Sequence, residues 1–140
     1  MFYKYCILLV VLFFNSCTEK KEKKNDIHIW KTIEVTATAY NSYRYQTSNT
    51  PNITAWGDSL KPGMPYIAVS RDLIKLGLVH NTLVKLEGFK GTFLVKDKMN
   101  RRWKNRIDIY MGKDIKKAKV WGKQKLKLQY SIIDTTLVNL

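Results

Sequence analysis

Cysteine, histidine and acidic residues are scarce in this chain, and each scarcity excludes a kind of site. Both cysteines, Cys6 and Cys17, lie near the N-terminus, so the remainder of the chain has no thiol for a disulfide, a cysteine nucleophile or a cysteine-ligated zinc ion. The two histidines, His28 and His80, lack the paired spacing of metal ligands. We therefore predict a domain without disulfides, without a bound metal and without any other cofactor.

A long apolar run is also missing, because the run Cys6–Phe14 is too short to span a bilayer comfortably. It follows Lys4 and precedes the sequence Asn-Ser-Cys17, in which a small residue stands before a cysteine. This N-terminus resembles a bacterial lipoprotein signal. It predicts a signal peptide over residues 1–16, cleavage before Cys17 and lipidation of Cys17. The alternative is an N-terminal membrane anchor that stays uncleaved.

Residues 17–28 are charged and of low complexity, which predicts a lipidated flexible tether with nothing to bury. The folded domain is then predicted over residues 29–140. Both alternatives for the N-terminus place this domain outside the cytoplasm, in the cell envelope. Thr18, which follows the lipidated cysteine, favours the periplasmic face of the outer membrane.

Basic residues outnumber acidic ones by 25 to 11, and the formal net charge is +14. Such an excess indicates an anionic partner. A domain outside the cytoplasm does not meet nucleic acid, so we predict no nucleic-acid binding. We expect contact with anionic lipid headgroups or with the carboxylate-bearing cell-wall polymer. The alternative is a solvated basic surface, which we favour for the lysines beyond Lys113.

The chain is long enough for one domain, and its hydrophobic pattern is mostly that of short β-strands. The polar stretch Asn41–Asn52 predicts a long exposed loop, and Arg71–Leu76 and Ile115–Trp121 predict two short helices. We therefore predict a mainly β domain, a small closed barrel of six to seven strands, and a monomer. The predicted strands are Thr32–Tyr40, Ile53–Gly57, Tyr66–Ser70, Thr82–Glu87, Thr92–Asp97, Arg106–Met111 and Leu126–Ile132.

Two acidic residues stand in the most basic and aromatic part of the sequence. Asp97 ends one alternating stretch, and Asp108 lies between two isoleucines in the next. A carboxyl group in such a strand is poorly solvated and close to arginine and lysine, which is typical of a group whose protonation matters. The alternative is structural, with Asp97 in a turn and Asp108 in a cross-strand ion pair with an arginine.

Five short segments follow one another along the chain: Thr36–Tyr40, Ile53–Gly57, Ile67–Ser70, Val95–Asp97 with Arg106–Tyr110, and Ala118–Gly122. In this order they resemble the three-aspartate ("3D") domain, which is found in the catalytic domain of membrane-bound lytic transglycosylase A. They are also similar to the barrel of rare lipoprotein A. The resemblance implies a double-psi β-barrel. It also implies non-hydrolytic cleavage of the β-1,4 bond between N-acetylmuramic acid and N-acetylglucosamine in peptidoglycan.

Carried onto this chain, the resemblance implies that Asp97 and Asp108 are the second and third aspartates of the family's site. The first falls on Ser70, which is not acidic and which we count among the substrate-binding positions. Asp72 keeps the strand parity of Ser70 but falls in the predicted helix, so we do not count it as a replacement. The resemblance also implies that Tyr40, Thr54 and Trp56 line a glycan groove. The alternative is that each is an ordinary half-buried strand residue.

Trp103 and Arg106 both lie between Asp97 and Asp108 in the sequence. Trp103 stands among cations and suits a sugar that carries a carboxylated peptide, although it could equally cap the barrel. Arg106 is two residues before Asp108 and therefore on the same face of that strand. It either binds a substrate carboxylate or pairs with Asp108, and the second role would lower the pKa of Asp108.

In a lytic transglycosylase the nucleophile is the C6 hydroxyl of the substrate, so one carboxyl group can act first as acid and then as base. We assign this role to Asp108, because its strand position is the drier one, and expect Asp97 to stay ionised as a stabilising or orienting group. The two roles could be exchanged. A second functional hypothesis is a peptidoglycan-binding module that does not turn over, since the first aspartate is missing. A third is an envelope scaffold that recruits a hydrolase.

Overall fold

Six strands and two short helices make up the part of the chain that the computed structural model describes, residues 28–45 and 49–133. The predicted signal peptide, Cys17 and almost all of the predicted tether lie outside these residues. Among the described residues no helix is long and apolar enough to cross a membrane. The elements are β1 (His28–Tyr40), β2 (Tyr66–Val69), α1 (Arg71–Lys75), β3 (Leu83–Leu86), β4 (Phe93–Lys98), β5 (Arg106–Tyr110), α2 (Ile115–Trp121) and β6 (Gln124–Ile133).

The strands close into a barrel in the order β1-β5-β2-β4-β3-β6. Two of the neighbouring pairs are parallel, β1 with β5 and β2 with β4, and the others are antiparallel. Parallel neighbours need crossing connections. The connection from β2 to β4 contains α1 and β3, and the connection from β1 to β5 contains β2, α1, β3 and β4. The prediction of a mainly β chain with a small closed barrel and two short helices is confirmed, and the arrangement fits a double-psi β-barrel.

Alternation along β1 and over Arg106–Ile109 of β5 separates the barrel core from its outer face. In β5, Ile107 and Ile109 are buried side chains of the core, while Asp108 between them points to the other face. In β1 the core residues are Val35 and Ala37. Because the period is two, Asp108 in β5 and Thr38 in β1 face away from the core residues beside them, on the side where a ligand can reach.

The predicted strand over Ile53–Gly57 is wrong, and the barrel therefore has six strands. Ile53 forms only an isolated bridge with Ser59. The reason is local, because the Thr54 hydroxyl accepts hydrogen bonds from the backbone N–H groups of Trp56 (3.3 Å) and Asp58 (3.0 Å). A hydroxyl that bonds to the following backbone favours a turn over a strand.

The loop predicted over Asn41–Asn52 is not exposed at its beginning. Asn41 is 1% exposed, and its side-chain amide donates to the carbonyl oxygens of Met111 (3.3 Å) and Gly112 (3.2 Å). Ser42 is also buried and shares a hydrogen bond with the Tyr110 hydroxyl at 3.1 Å. Polar side chains at this point thus fasten the end of β1 to the end of β5.

Candidate functional site

Four outward-facing residues form one row across four neighbouring strands. The strand register pairs Asp108 of β5 with Thr38 of β1 on one side and with Ala68 of β2 on the other. Ala68 is in turn paired with Asp97 of β4. The two carboxylates therefore lie two strands apart, about 10 Å between Cα atoms for strands about 4.8 Å apart. The small side chain of Ala68 leaves the space between them open.

A shift of register between β2 and β4 brings Asp97 into this row. Ile67 pairs with Val95, but the next residue, Ala68, pairs with Asp97, so β4 carries one extra residue. Without the shift, Asp97 would follow the parity of Phe93 and Val95, whose side chains are buried in the core. An extra residue of this kind redirects the following side chain to the opposite face.

A groove of about 570 Å³ runs over this row. It is closed on one side by the segment 50–55 and on the other by the segment that links β4 to β5. The groove brings together five of the eight residues predicted for the site: Asp97, Asp108, Tyr40, Thr54 and Trp103.

Asp108 is held by Thr38, whose hydroxyl donates to the Asp108 oxygen Oδ1 and also lies 3.3 Å from the carbonyl oxygen of Ile107. Burial raises the pKa of the Asp108 carboxyl above its ordinary value, and the charge of Asp97 adds to the rise. The Thr38 hydrogen bond and the Arg106 charge offset only part of it. Asp108 is therefore disposed to hold a proton.

Asp97 is held by the backbone, because its oxygen Oδ1 accepts from the N–H groups of Ala55 and Lys98, both at 2.7 Å. Burial nevertheless raises the pKa of the Asp97 carboxyl, and these hydrogen bonds together with the Lys98 charge offset only part of the rise. The pKa values of both acids are thus raised, and the two acids differ in their hydrogen bonds. Asp97 has two donors that favour its charged form.

Tyr40 supplies a hydroxyl without a partner among the described residues, although the oxygen is buried. Burial, with the charges of Asp97 and Asp108, raises the pKa of this hydroxyl, so it stays protonated. Its ring packs against that of Tyr110 at 5.4 Å between centroids. A protonated, unsatisfied hydroxyl at the groove is a donor that a ligand can use.

Trp56 and Arg106 lie beside the groove without lining it. The Trp56 ring has the Lys98 ammonium 5.0 Å from its centroid and the His80 ring 5.1 Å away. The Arg106 guanidinium lies 4.0 Å from the Trp103 ring centroid, and no ion pair joins it to Asp108. Of the two predicted roles for Arg106, direct pairing with Asp108 is therefore absent among the described contacts.

Ser70 does not reach the groove. It is 0% exposed, and its hydroxyl accepts a hydrogen bond from the Arg106 N–H at 3.0 Å. Asp72, two residues further on, accepts from the Asn105 N–H at 2.8 Å. Both residues thus hold the end of the segment that links β4 to β5, and neither places an oxygen in the row of the two aspartates.

The structure also identifies residues around the two aspartates that the sequence analysis did not single out. Thr38 is the partner of Asp108, Ala68 is the spacer, and the Ala55 N–H is a donor to Asp97. For Thr38 a signal existed, since it shares the polar face of β1 with Thr36 and Tyr40. For Ala55 none existed, because a backbone donor in a turn leaves no mark on the side-chain pattern.

Near the groove, Asp58 joins the segment 50–59 to the barrel. It accepts from Lys96 at 2.8 Å and contacts His80 Nε2 at 2.5 Å. The hydrogen bond from Lys96 is the main reason that the pKa of Asp58 is lowered. Among the residues that the structure describes, no three His, Cys, Asp or Glu side chains are grouped so that they could hold a metal ion.

No protein-family profile and no curated protein matches this chain. Two solved structures of an expansin from Clavibacter michiganensis are similar in fold, each with a TM-score of 0.42. The apo structure is 20% identical, and a mutant in complex with cellohexaose is 18% identical. Each similarity covers 74% of this chain and 52% of the expansin chain, so this chain spans about half the length of those proteins. Similarity this low carries no argument about function.

Proposed function

We propose that the chain is a lytic transglycosylase of the cell envelope that cleaves the glycan strands of peptidoglycan. The observation that supports the proposal best is the pair Asp97 and Asp108, two carboxyl groups of raised pKa that face one open groove across Ala68. A raised carboxyl pKa is the direction that a general acid in glycosidic bond cleavage requires. The order of the five sequence segments supports the same family.

In the proposed reaction Asp108 donates its proton to the bridging oxygen O4 of N-acetylglucosamine as the bond from C1 of N-acetylmuramic acid to O4 breaks. The C6 hydroxyl oxygen of N-acetylmuramic acid then bonds to C1 of the same sugar. Its proton passes to the Asp108 carboxylate, which restores the acid. The products are a 1,6-anhydro end and a free 4-hydroxyl, and no water is consumed.

Asp97 serves this reaction as the anion that stabilises positive charge on the sugar ring. Its two backbone donors favour the ionised form, in contrast to Asp108, which has only the Thr38 hydroxyl and the distant Arg106 charge.

Thr38 is a suitable hydrogen-bond partner for Asp108, which changes its protonation during the proposed reaction. Its hydroxyl lies within reach of both Asp108 Oδ1 and the Ile107 carbonyl oxygen. When Asp108 is ionised, the hydroxyl donates to the carboxylate. When Asp108 is protonated, the hydroxyl can turn to Ile107 and accept from the acid. Both states therefore keep a hydrogen bond.

A second candidate function is a glycan-binding module without turnover, favoured by the burial of Ser70 away from the row of acids. The two functions are distinguished by incubating the protein with purified sacculi and detecting 1,6-anhydro ends by mass spectrometry. The enzyme is expected to release them, with a loss of about 10²–10⁴-fold in rate for Asp108→Asn. Asp97→Asn should lose less if Asp108 is the acid. Binding to sacculi without anhydro ends would support the module instead.

We further propose that a lipid on Cys17 anchors the barrel at the periplasmic face of the outer membrane. From there the barrel would contact the cell wall. This part of the proposal rests on the sequence of residues 1–28, with the lipoprotein-like signal and the charged stretch behind it. A groove that accepts glycan strands needs such a location, because the polymer is confined to the envelope.

A further inference from the structure

All charged residues between Asp97 and Asp108 are basic. From Asp97 to Asp108 the chain has five basic residues and no further acid, at positions 98, 101, 102, 104 and 106. The segment is fastened at both ends, since the Met99 N–H bonds to the Val69 carbonyl at 2.9 Å and the Arg106 N–H bonds to Ser70 at 3.0 Å. It contains a turn in which the Trp103 N–H bonds to the Asn100 carbonyl at 3.1 Å. Its cations are thus presented at a defined place on the groove rim.

Both tryptophans at the groove hold cations. The Arg102 and Arg106 guanidinium groups lie 4.7 Å and 4.0 Å from the Trp103 ring centroid. The Lys98 ammonium lies 5.0 Å from that of Trp56. A guanidinium group stacked on an indole uses its flat face there and leaves its in-plane N–H groups free for a carboxylate. Part of each indole surface that could contact a sugar is thereby already occupied.

None of these cations forms an ion pair within the described residues, although the charges of Lys98 and Arg106 act on Asp97 and Asp108. The ion pairs there join Asp58 to His80 and to Lys96, and Lys125 to Glu34. The Arg106 nitrogen Nε is buried and has no hydrogen-bond acceptor among the residues that the structure describes. A buried guanidinium nitrogen without an acceptor is costly, and an incoming carboxylate would remove that cost.

From these contacts we infer that the rim formed by Lys98, Arg102, Trp103 and Arg106 is a binding site for carboxylates carried on the peptide stems of a glycan strand. The protein accordingly selects peptide-bearing strands over denuded ones. The inference rests on the proposed function, since it names the form of the polymer that the same groove accepts. The tryptophans act mainly by holding the cations in place and only secondarily as sugar platforms.

The test compares binding of two forms of one polymer to the full chain purified in detergent, with Asp108→Asn present throughout so that nothing is cleaved. Glycan strands from sacculi are used before and after an amidase has removed their peptides. We expect the peptide-bearing strands to bind at least about ten-fold more tightly at low salt, and this preference to shrink as salt is raised. Arg102→Gln should weaken binding of peptide-bearing strands by about two- to five-fold and leave denuded strands unchanged.

Lys116→Gln is the matched control, because it removes the same charge from an exposed position in α2, outside the groove lining. It should leave both affinities unchanged. Equal binding of the two polymers by the parent, or equal losses for Arg102→Gln and Lys116→Gln, would overturn the inference and leave the proposed function standing. No binding of either polymer would overturn both. A uronate polymer that competes as well as peptide-bearing strands would overturn the assignment to peptide stems.

Discussion

Removing the Thr38 hydroxyl should shift the pH dependence of catalysis towards higher pH. Thr38→Val keeps the shape of the side chain and suits a strand, so β1 should pair with β5 as before. It removes the hydroxyl that donates to Asp108 and that offsets part of the burial effect on the pKa of this acid. A hydrogen bond to a charged group contributes about 1.5–3 kcal/mol, and about 1.4 kcal/mol is a ten-fold change in an ionisation equilibrium.

The sign of the shift follows from the proposed role of Asp108 as proton donor. Losing a donor to the carboxylate favours the protonated form, so the pKa of Asp108 rises further and the acid keeps its proton to higher pH. The alkaline limb of the rate profile should therefore move up by about one pH unit or more. The measurement is the initial rate of 1,6-anhydro product release from sacculi across pH, with carboxyl NMR titration of Asp108 as a readout independent of turnover.

Thr36→Val provides the control, because Thr36 lies on the same face of β1 and pairs with Arg106 instead of Asp108. Its rate profile should keep the parental limb. An unshifted limb in Thr38→Val, a shift to lower pH, or the same shift in both variants would refute the assignment of Asp108 as the acid held by Thr38. Exchange of roles between the acids would appear as a limb that responds to changes around Asp97.

Three other changes have defined outcomes. Asp108→Asn should raise the thermal midpoint at pH 7, because a pKa raised by burial makes the folded state less stable as pH rises through it, and the gain should vanish below the ordinary pKa of 3.8. An equal gain at pH 3 and pH 7 would contradict this sign. Gly112→Ala should lower the free energy of unfolding by about 2–4 kcal/mol in urea, because φ is +60° and the added Cβ would lie 3.2 Å from Pro62. Gly88→Ala, at φ +81° with nothing within 4 Å, should lose only about half as much, and equal losses would exclude the steric contribution. Ser70→Asp should give no added activity per folded molecule and should lower the thermal midpoint. Ser70 is 0% exposed, so a carboxylate there would be buried beside Asp72. A gain in anhydro product would instead place Ser70 in the site.

Local patterns were sufficient for most of the barrel but not for the register of its strands. Alternation in β1 and β5 predicts that Asp108 faces away from Ile107 and Ile109, and the structure places it so. The same alternation in β4 would have buried Asp97 beside Val95. The register shift against β2 reverses this, and it depends on how two distant segments pair, which no local pattern contains.

The segment from Ile53 to Gly57 shows the opposite failure, where a strand-like composition formed a turn. Ile53, Thr54 and Trp56 have high strand propensity. However, the Thr54 hydroxyl accepts from two following N–H groups, and the Ala55 N–H donates to Asp97. The direction of the Ser70 side chain was equally absent from the local pattern. Its sequence position marks the end of β2, whereas its direction into the interior, towards the Arg106 N–H, is fixed by tertiary packing.

In the proposed function, chemistry and ligand choice fall to different parts of the fold. Asp108 lies on a strand whose alternate residues form the core, so its position is set by the barrel. Arg102 lies on the segment between the two acids and influences neither pKa among the causes identified for Asp97 and Asp108. Free-energy effects of changes that share no partner are additive. Asp108→Asn should therefore remove turnover without altering the preference for peptide-bearing strands, and Arg102→Gln should reduce that preference without shifting the pH limb. A double variant whose binding loss differs from the sum of the losses of Asp108→Asn and Arg102→Gln would show that the rim and the acid act as one unit.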